Sequence, residues 1–189
     1  MIIKDKNKLK VKCENVDNIL DGEDIATKLF EKLNKSKTGI GLAANQIGIN
    51  KRVCVINVKE PLFFINPKIS KLEGEVIAPE SCLSFPKKIV TTKRARWVTV
   101  DSDNHGTIVL GSDMDDENLL EAICVQHEID HLDGITMFDR RIVKQPVKRE
   151  GKKIGRNDKV LIASGVESKV MKYKKAQPLL EKGWTLVEA

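Results

Sequence analysis

The segment that most constrains this chain is residues 113–134, which carry His127-Glu128-Ile129-Asp130-His131. Asp115, Asp116 and Glu117 crowd its start, where negative charge favours a helix, and Gly134 offers a stop. Leu119, Leu120, Ile123, Cys124 and His127 recur at steps of three and four, so the spacing predicts a helix whose apolar stripe runs on into the histidines and turns them inward. Two residues four apart differ by about 40° around a helix axis, and both imidazoles can therefore reach one point beside the helix. Neutral imidazoles at that spacing bind a divalent metal, the metal acidifies water, and the adjacent Glu128 is placed to take the proton. The pattern fixes only three positions, and an acidic, solvated helix is the competing reading. Gln126, Asp130 and Asp133 are candidates for hydrogen bonds that orient the ligands.

A catalytic metal site usually has three protein ligands and an open position. The next glutamate downstream, Glu150, lies in a basic stretch interrupted by proline and glycine, and no His-x-x-Gly-x-x-His continuation follows the motif. The conspicuous candidate for the third ligand lies upstream, in Glu80-Ser81-Cys82-Leu83-Ser84, where Cys82 is flanked by polar residues and proline. Its rival, Cys124, sits one turn before His127 and would have to stretch along the axis to join both histidines; it is read as a pocket-lining or core residue. Cys13 and Cys54 complete the four cysteines, too few for a disulfide scaffold.

Elsewhere, residues 22–35 read as an amphipathic helix with Ile25, Leu29, Phe30 and Leu33 on one face. Residues 39–50 contain three glycines and little periodicity and read as a loop. Residues 51–110 carry short β-branched runs, and residues 95–110 read as a hairpin with His105 in an exposed turn and no catalytic role. Helix, antiparallel strands, helix and tail argue an α+β fold, with antiparallel sheets around a central helix that bears the HExxH motif.

Charge divides the chain. Residues 141–189 hold 13 Lys and Arg against 5 Asp and Glu, whereas residues 1–140 hold 20 against 22. The expected organisation is a catalytic domain over residues 1–145 and a basic C-terminal extension over residues 146–189, with an anionic partner such as RNA or a solvated surface as the two readings of the extension. Pro146, Gly151 and Gly155 leave no helix evident in residues 141–157. No run approaches ~20 apolar residues, and the N-terminal apolar run is too short for a secretory h-region of about 7–15 residues. The expectation is a cytoplasmic protein with no membrane partner, or an organellar or host-cytoplasm one if the source is an organelle or a virus.

Three segments together resemble the peptide deformylase signature: Gly39-Ile40-Gly41-Leu42-Ala43-Ala44-Asn45-Gln46, then Glu80 to Ser84, then Gln126 to His131. The resemblance covers roughly residues 20–140. It implies a hydrolase that removes the formyl group from N-formylmethionyl nascent peptides and releases formate. It also implies Cys82, His127 and His131 as ligands of one divalent metal, characteristically Fe²⁺ with Zn²⁺ or Ni²⁺ able to substitute. Glu128 then serves as general base and acid, with Gln46 and the Leu83 N–H as oxyanion donors. A methionine pocket would draw on Gly39, Ile40, Gly41, Leu120, Ile123 and Cys124. Ser81 stands where the family usually has glycine. Ribosome contact through the basic extension fits an enzyme that acts on nascent chains. Two other readings remain at this point: a zincin-type protease, and a nucleic-acid-binding protein with a structural metal.

Overall fold

The structure, a computed structural model, describes residues 1–142, 154–164 and 167–188. It divides into two compact units, Met1–Ile142 and Val143–Ala189.

The first unit opens with the short helix α1 (Lys6–Leu9) and helix α2 (Ile19–Leu33). The Asn18 side chain accepts a hydrogen bond from the Asp21 N–H and caps α2, three residues before the expected start. Ile19 and Leu20 face outward, so the apolar stripe first becomes legible at Gly22. The expected loop over 39–50 instead contains strand β1 (Gly41–Ala43) and a 3-10 turn (Ala44–Ile47). β1 is too short for alternation to show, and only its pairing with Cys54–Ile56 makes it a strand.

β2 (Val53–Asn57) and β3 (Pro61–Ile65) complete an antiparallel sheet in the order β1-β2-β3. β4 (Lys68–Glu73), β7 (Trp97–Ser102) and β8 (Gly106–Gly111) form a second antiparallel sheet, and β5 (Val76–Cys82) pairs with β6 (Phe85–Arg94) in a third. The β7–β8 turn carries His105, which is exposed as expected. Its neighbour Asn104 accepts from the Ile65 N–H and donates to the Phe63 carbonyl, which ties the turn to β3.

The core follows from the two-residue period of β2. Val53 and Val55 face α2 and pack with Leu29, Leu33, Leu42 and Ile65. Cys54 and Ile56 face the other way, toward helix α3 (Asp116–Leu132), and pack with Phe64, Val98, Val100, Val125 and Ile129. α3 lies against β1, β2, β7 and β8, so antiparallel sheets surround the motif-bearing helix and the fold is α+β.

The second unit contains β9 (Lys159–Ser164), β10 (Glu167–Lys172), helix α4 (Tyr173–Leu180) and β11 (Thr185–Glu188), with sheet order β10-β9-β11. Val160, Ile162 and Ala176 are buried and packed by Met171, Leu179, Leu180, Trp184 and Leu186. The basic extension thus contains a small fold with its own core. The 145/146 boundary, and the expectation of no helix between 143 and 153, fall outside the described residues. Among the described residues no helix is long and apolar enough to cross a membrane.

Candidate active site and metal centre

α3 presents a physical problem that its surroundings solve. Every residue from Glu121 to Leu132 is buried, yet six of them are polar or charged: Glu121, Gln126, His127, Glu128, Asp130 and His131. A buried polar group left unpaired is costly. Gln126 accepts from the Ala95 N–H and donates to the Ala95 and Ala122 carbonyls. Asp130 accepts from Arg94 and Arg140. Asp133, at the end of the helix, pairs with Arg52 at 2.7 Å. These three therefore do not orient the histidines, as their closeness in sequence had led us to expect: Asp130 and Asp133 turn to arginines, and Gln126 serves backbone.

Glu80 takes that role for His127. Its Oε2 lies 2.6 Å from His127 Nδ1, which leaves Nε2 as the free ring nitrogen. Glu80 is itself held by a two-point contact with Arg94, at 2.6 and 3.0 Å, and by the Thr92 hydroxyl. Burial works against its charge, but His127 and Arg94 outweigh burial and hold the carboxyl down at about 2. A signal for Glu80 was present in the sequence. It lies two residues before Cys82 on a strand, and such residues share a face; Glu80 and Cys82 are buried while Ser81 between them is exposed. Ser81 pairs with Ile89 just before the register shifts at Cys82, and the only non-glycine residues with positive φ among the described residues are Asn66 and Lys87. Serine is therefore accommodated at position 81 without a left-handed backbone.

Three donor atoms converge beside α3. One each from Cys82, His127 and His131 lie within 4.8 Å of one another, and all three residues are buried. Cys82 Sγ is 3.2 Å from His131 Nε2. Burial pushes His131 well below its ordinary value, so its imidazole is in the neutral form that ligates. Two imidazoles and a thiol suit a borderline or soft divalent cation. Cys124 stands apart from this set: its Sγ reaches the Ile40 carbonyl at 3.5 Å, and burial pushes its thiol well up.

Gln46 is positioned by the 3-10 turn. Its Oε1 accepts from the Ala43 N–H at 2.8 Å, which aims Nε2 at Ser84 Oγ (3.1 Å) and Cys82 Sγ (3.4 Å). Glu128 is buried as well, and burial pushes its carboxyl up to about 7. Its Oε2 has no protein partner, which marks it as an atom for water or substrate to satisfy. Glycine 41 allows this approach: a Cβ there would sit 2.5 Å from Glu128 Oε1 and 2.7 Å from Cys124 Sγ.

A cleft of about 370 Å³ opens onto these groups. Gly39, Ile40, Gly41, Leu120, Ile123 and Cys124 line it, as do Gln46, Cys82, Leu83, His127 and Glu128. The sequence reading missed the wall formed by Phe85, Pro86 and Lys87.

A family model described as Polypeptide deformylase matches residues 1–149. A peptide deformylase of Pseudoalteromonas translucida is 34% identical over 155 residues, covering 77% of this chain and 91% of the relative. Among solved structures, the peptide deformylase of Thermotoga maritima aligns with a TM-score of 0.66 at 27% identity, covering 76% of this chain and 97% of that one. The PDF of Vibrio parahaemolyticus bacteriophage VP16T aligns with a TM-score of 0.63 at 36% identity, covering 71% and 98%.

Proposed function

Because this chain belongs to the peptide deformylase family and is a metal-dependent hydrolase that removes the formyl group from N-formylmethionyl peptides, we propose that Cys82, His127 and His131 hold its metal and that Glu128 moves the protons. The observation that carries this assignment is the convergence of one Sγ and two imidazole nitrogens within 4.8 Å beside a buried carboxyl. A divalent cation held there supplies Lewis acidity, which polarises a carbonyl and lowers the pKa of water toward neutrality. Fe²⁺ is the proposed native ion, with Zn²⁺ or Ni²⁺ able to substitute, since a sulfur and two nitrogens accept any of the three.

Around that ion the chain's own groups act in sequence. The substrate enters extended along Gly39–Gly41, where small residues admit its backbone, and its methionine side chain packs against Ile40, Leu120, Ile123 and Cys124. Glu128 accepts a proton from water as the water oxygen bonds to the formyl carbon. Gln46 Nε2 and the Leu83 N–H donate to the oxygen on which charge develops, an arrangement in which one donor is typically worth ~10²–10³ in rate. Glu128 then delivers its proton to the departing amine, and formate and a free methionyl N-terminus leave. A carboxyl pushed toward neutrality by burial suits this two-way duty, and a cation nearby would draw it back toward the ionised form.

The location is proposed to be cytoplasmic, where four free cysteines and nascent peptides belong together. The catalytic domain is proposed to span residues 1–145, and the extension over 146–189 to contact ribosomal RNA. In the extension Lys159 and Lys172 stand directly opposite on paired strands, a repulsion that an anionic partner would relieve, and the Lys174 N–H bonds the Arg156 carbonyl nearby. Salt-dependent RNA binding by the full chain, absent from a version ending near residue 150 that still releases formate, is the test. Equal RNA binding by both forms would refute it.

A further inference from the structure

The lining of the cleft holds one cation that the chemistry above does not use. Two segments meet there: a Cβ on Gly39 would sit 2.7 Å from Leu83 Cδ1. The first segment, residues 34–41, carries Lys35 and Lys37; the second, residues 83–89, carries Lys87 and Lys88; neither contains an Asp or Glu. All four lysines are exposed, and none forms an ion pair among the described residues. Among the described residues, Lys87 is the only lysine or arginine that lines the cleft itself. The lining acids do not neutralise it, since Glu80 is committed to Arg94 and His127, and Glu128 is buried.

The Lys87 backbone adds an independent observation. Its φ is 66°, in the left-handed region that a residue with a Cβ adopts at a cost. Strain of this kind gathers at ligand-binding sites. It falls where β6 bulges: Cys82 pairs with Phe85, while Ser81 pairs with Ile89, so the residues between are pushed out of the ladder.

Building on the deformylase reading of this cleft, we propose that Lys87 selects substrates with acidic side chains just after the formylmethionine. A group on the cleft wall meets the substrate itself, which favours a peptide carboxylate over a phosphate polymer as its partner.

The test uses the full, metal-loaded chain with three C-terminally amidated peptides: formyl-Met-Asp-Glu, formyl-Met-Ala-Ser and formyl-Met-Lys-Lys. The free-acid form of formyl-Met-Ala-Ser is the fourth substrate. The acidic peptide should show the lowest KM and the basic one the highest, by about two- to fivefold for each exposed ion pair, and the spread should shrink as salt rises. Lys87→Glu should reverse the order. Ratios among peptides on one preparation cancel any loss of active protein. Turnover without discrimination, an order unchanged in Lys87→Glu, or a preference confined to the free terminal carboxylate would each overturn the inference. So would RNA competing at the cleft while peptide charge has no effect. Failure to turn over any of the peptides would refute the enzymatic reading, and this inference with it.

Discussion

The Glu80 carboxylate lies 2.6 Å from His127 Nδ1 and fixes which imidazole nitrogen faces the cleft. The two residues are 47 positions apart, on β5 and α3, and the same carboxylate carries Arg94 into the site. Replacing Glu80 by Ala should therefore weaken metal binding by about 10–100-fold, the range for lost partners of ligating histidines. It should also cost stability, because buried Arg94 would lose its two-point partner and keep only Asp130. Chelator competition reads the first effect and denaturant unfolding the second. Unchanged metal affinity would mean that His127 is oriented by its own helix.

The two cysteines near the histidines should separate cleanly. Cys82→Ser should lose most bound metal, since a hydroxyl replaces the thiol 3.2 Å from His131 Nε2. Cys124→Ser should keep it and change peptide KM instead, because Cys124 lines the cleft wall. Metal analysis of both proteins decides, and loss confined to the Cys124 variant would reverse the ligand assignment.

Gly41→Ala tests the close approach of β1 to the catalytic carboxyl. A methyl placed 2.5 Å from Glu128 Oε1 must push that side chain aside. Turnover should fall by at least tenfold with metal content intact, since displacement of a reacting group by about 1 Å can cost ~10²-fold. Full activity would show that Glu128 has room to move and still work.

Asp139 should make stability depend on pH in a predictable direction. Burial opposes its charge, but hydrogen bonds from Thr136 and the Lys10 ammonium outweigh burial and hold the folded pKa at about 2, below the ordinary 3.8. A carboxyl depressed on folding stabilises above its unfolded pKa, and that contribution is lost as pH falls through the folded value. Between roughly pH 4 and pH 2 the wild type should lose stability more steeply than Asp139→Asn. Parallel acid-unfolding curves for the two would contradict this.

Much of the architecture and chemistry could be read from the sequence because its signals are local. The α3 cap, its three- and four-residue steps and the histidine spacing all lie within one segment, and the antiparallel strands announce themselves by β-branched runs. What escaped depends on tertiary pairing. β1 is a strand only because β2 accepts it, and the chain leaves β4 and enters β5 by a turn at Gly74, with φ 65°. Asp130 resembled a support for the histidines until the fold brought Arg94 and Arg140 to it, and Glu80 did not until the β5 pleat placed it beside Cys82. The small fold within 154–188 was only partly legible, since apolar residues such as Val160, Ile162 and Trp184 are few and set in an overall basic composition.

The central claim is that Glu128 moves protons beside a metal held by other residues, and one paired measurement tests it most directly. Wild type and Glu128→Ala, purified without oxygen, would be analysed for metal and assayed for formate release from formyl-Met-Ala-Ser. The account predicts equal metal in both and a loss of at least ~10²–10⁴-fold in formate release by the variant, the range for a removed general acid–base. Near wild-type release by a metal-loaded Glu128→Ala protein would contradict it.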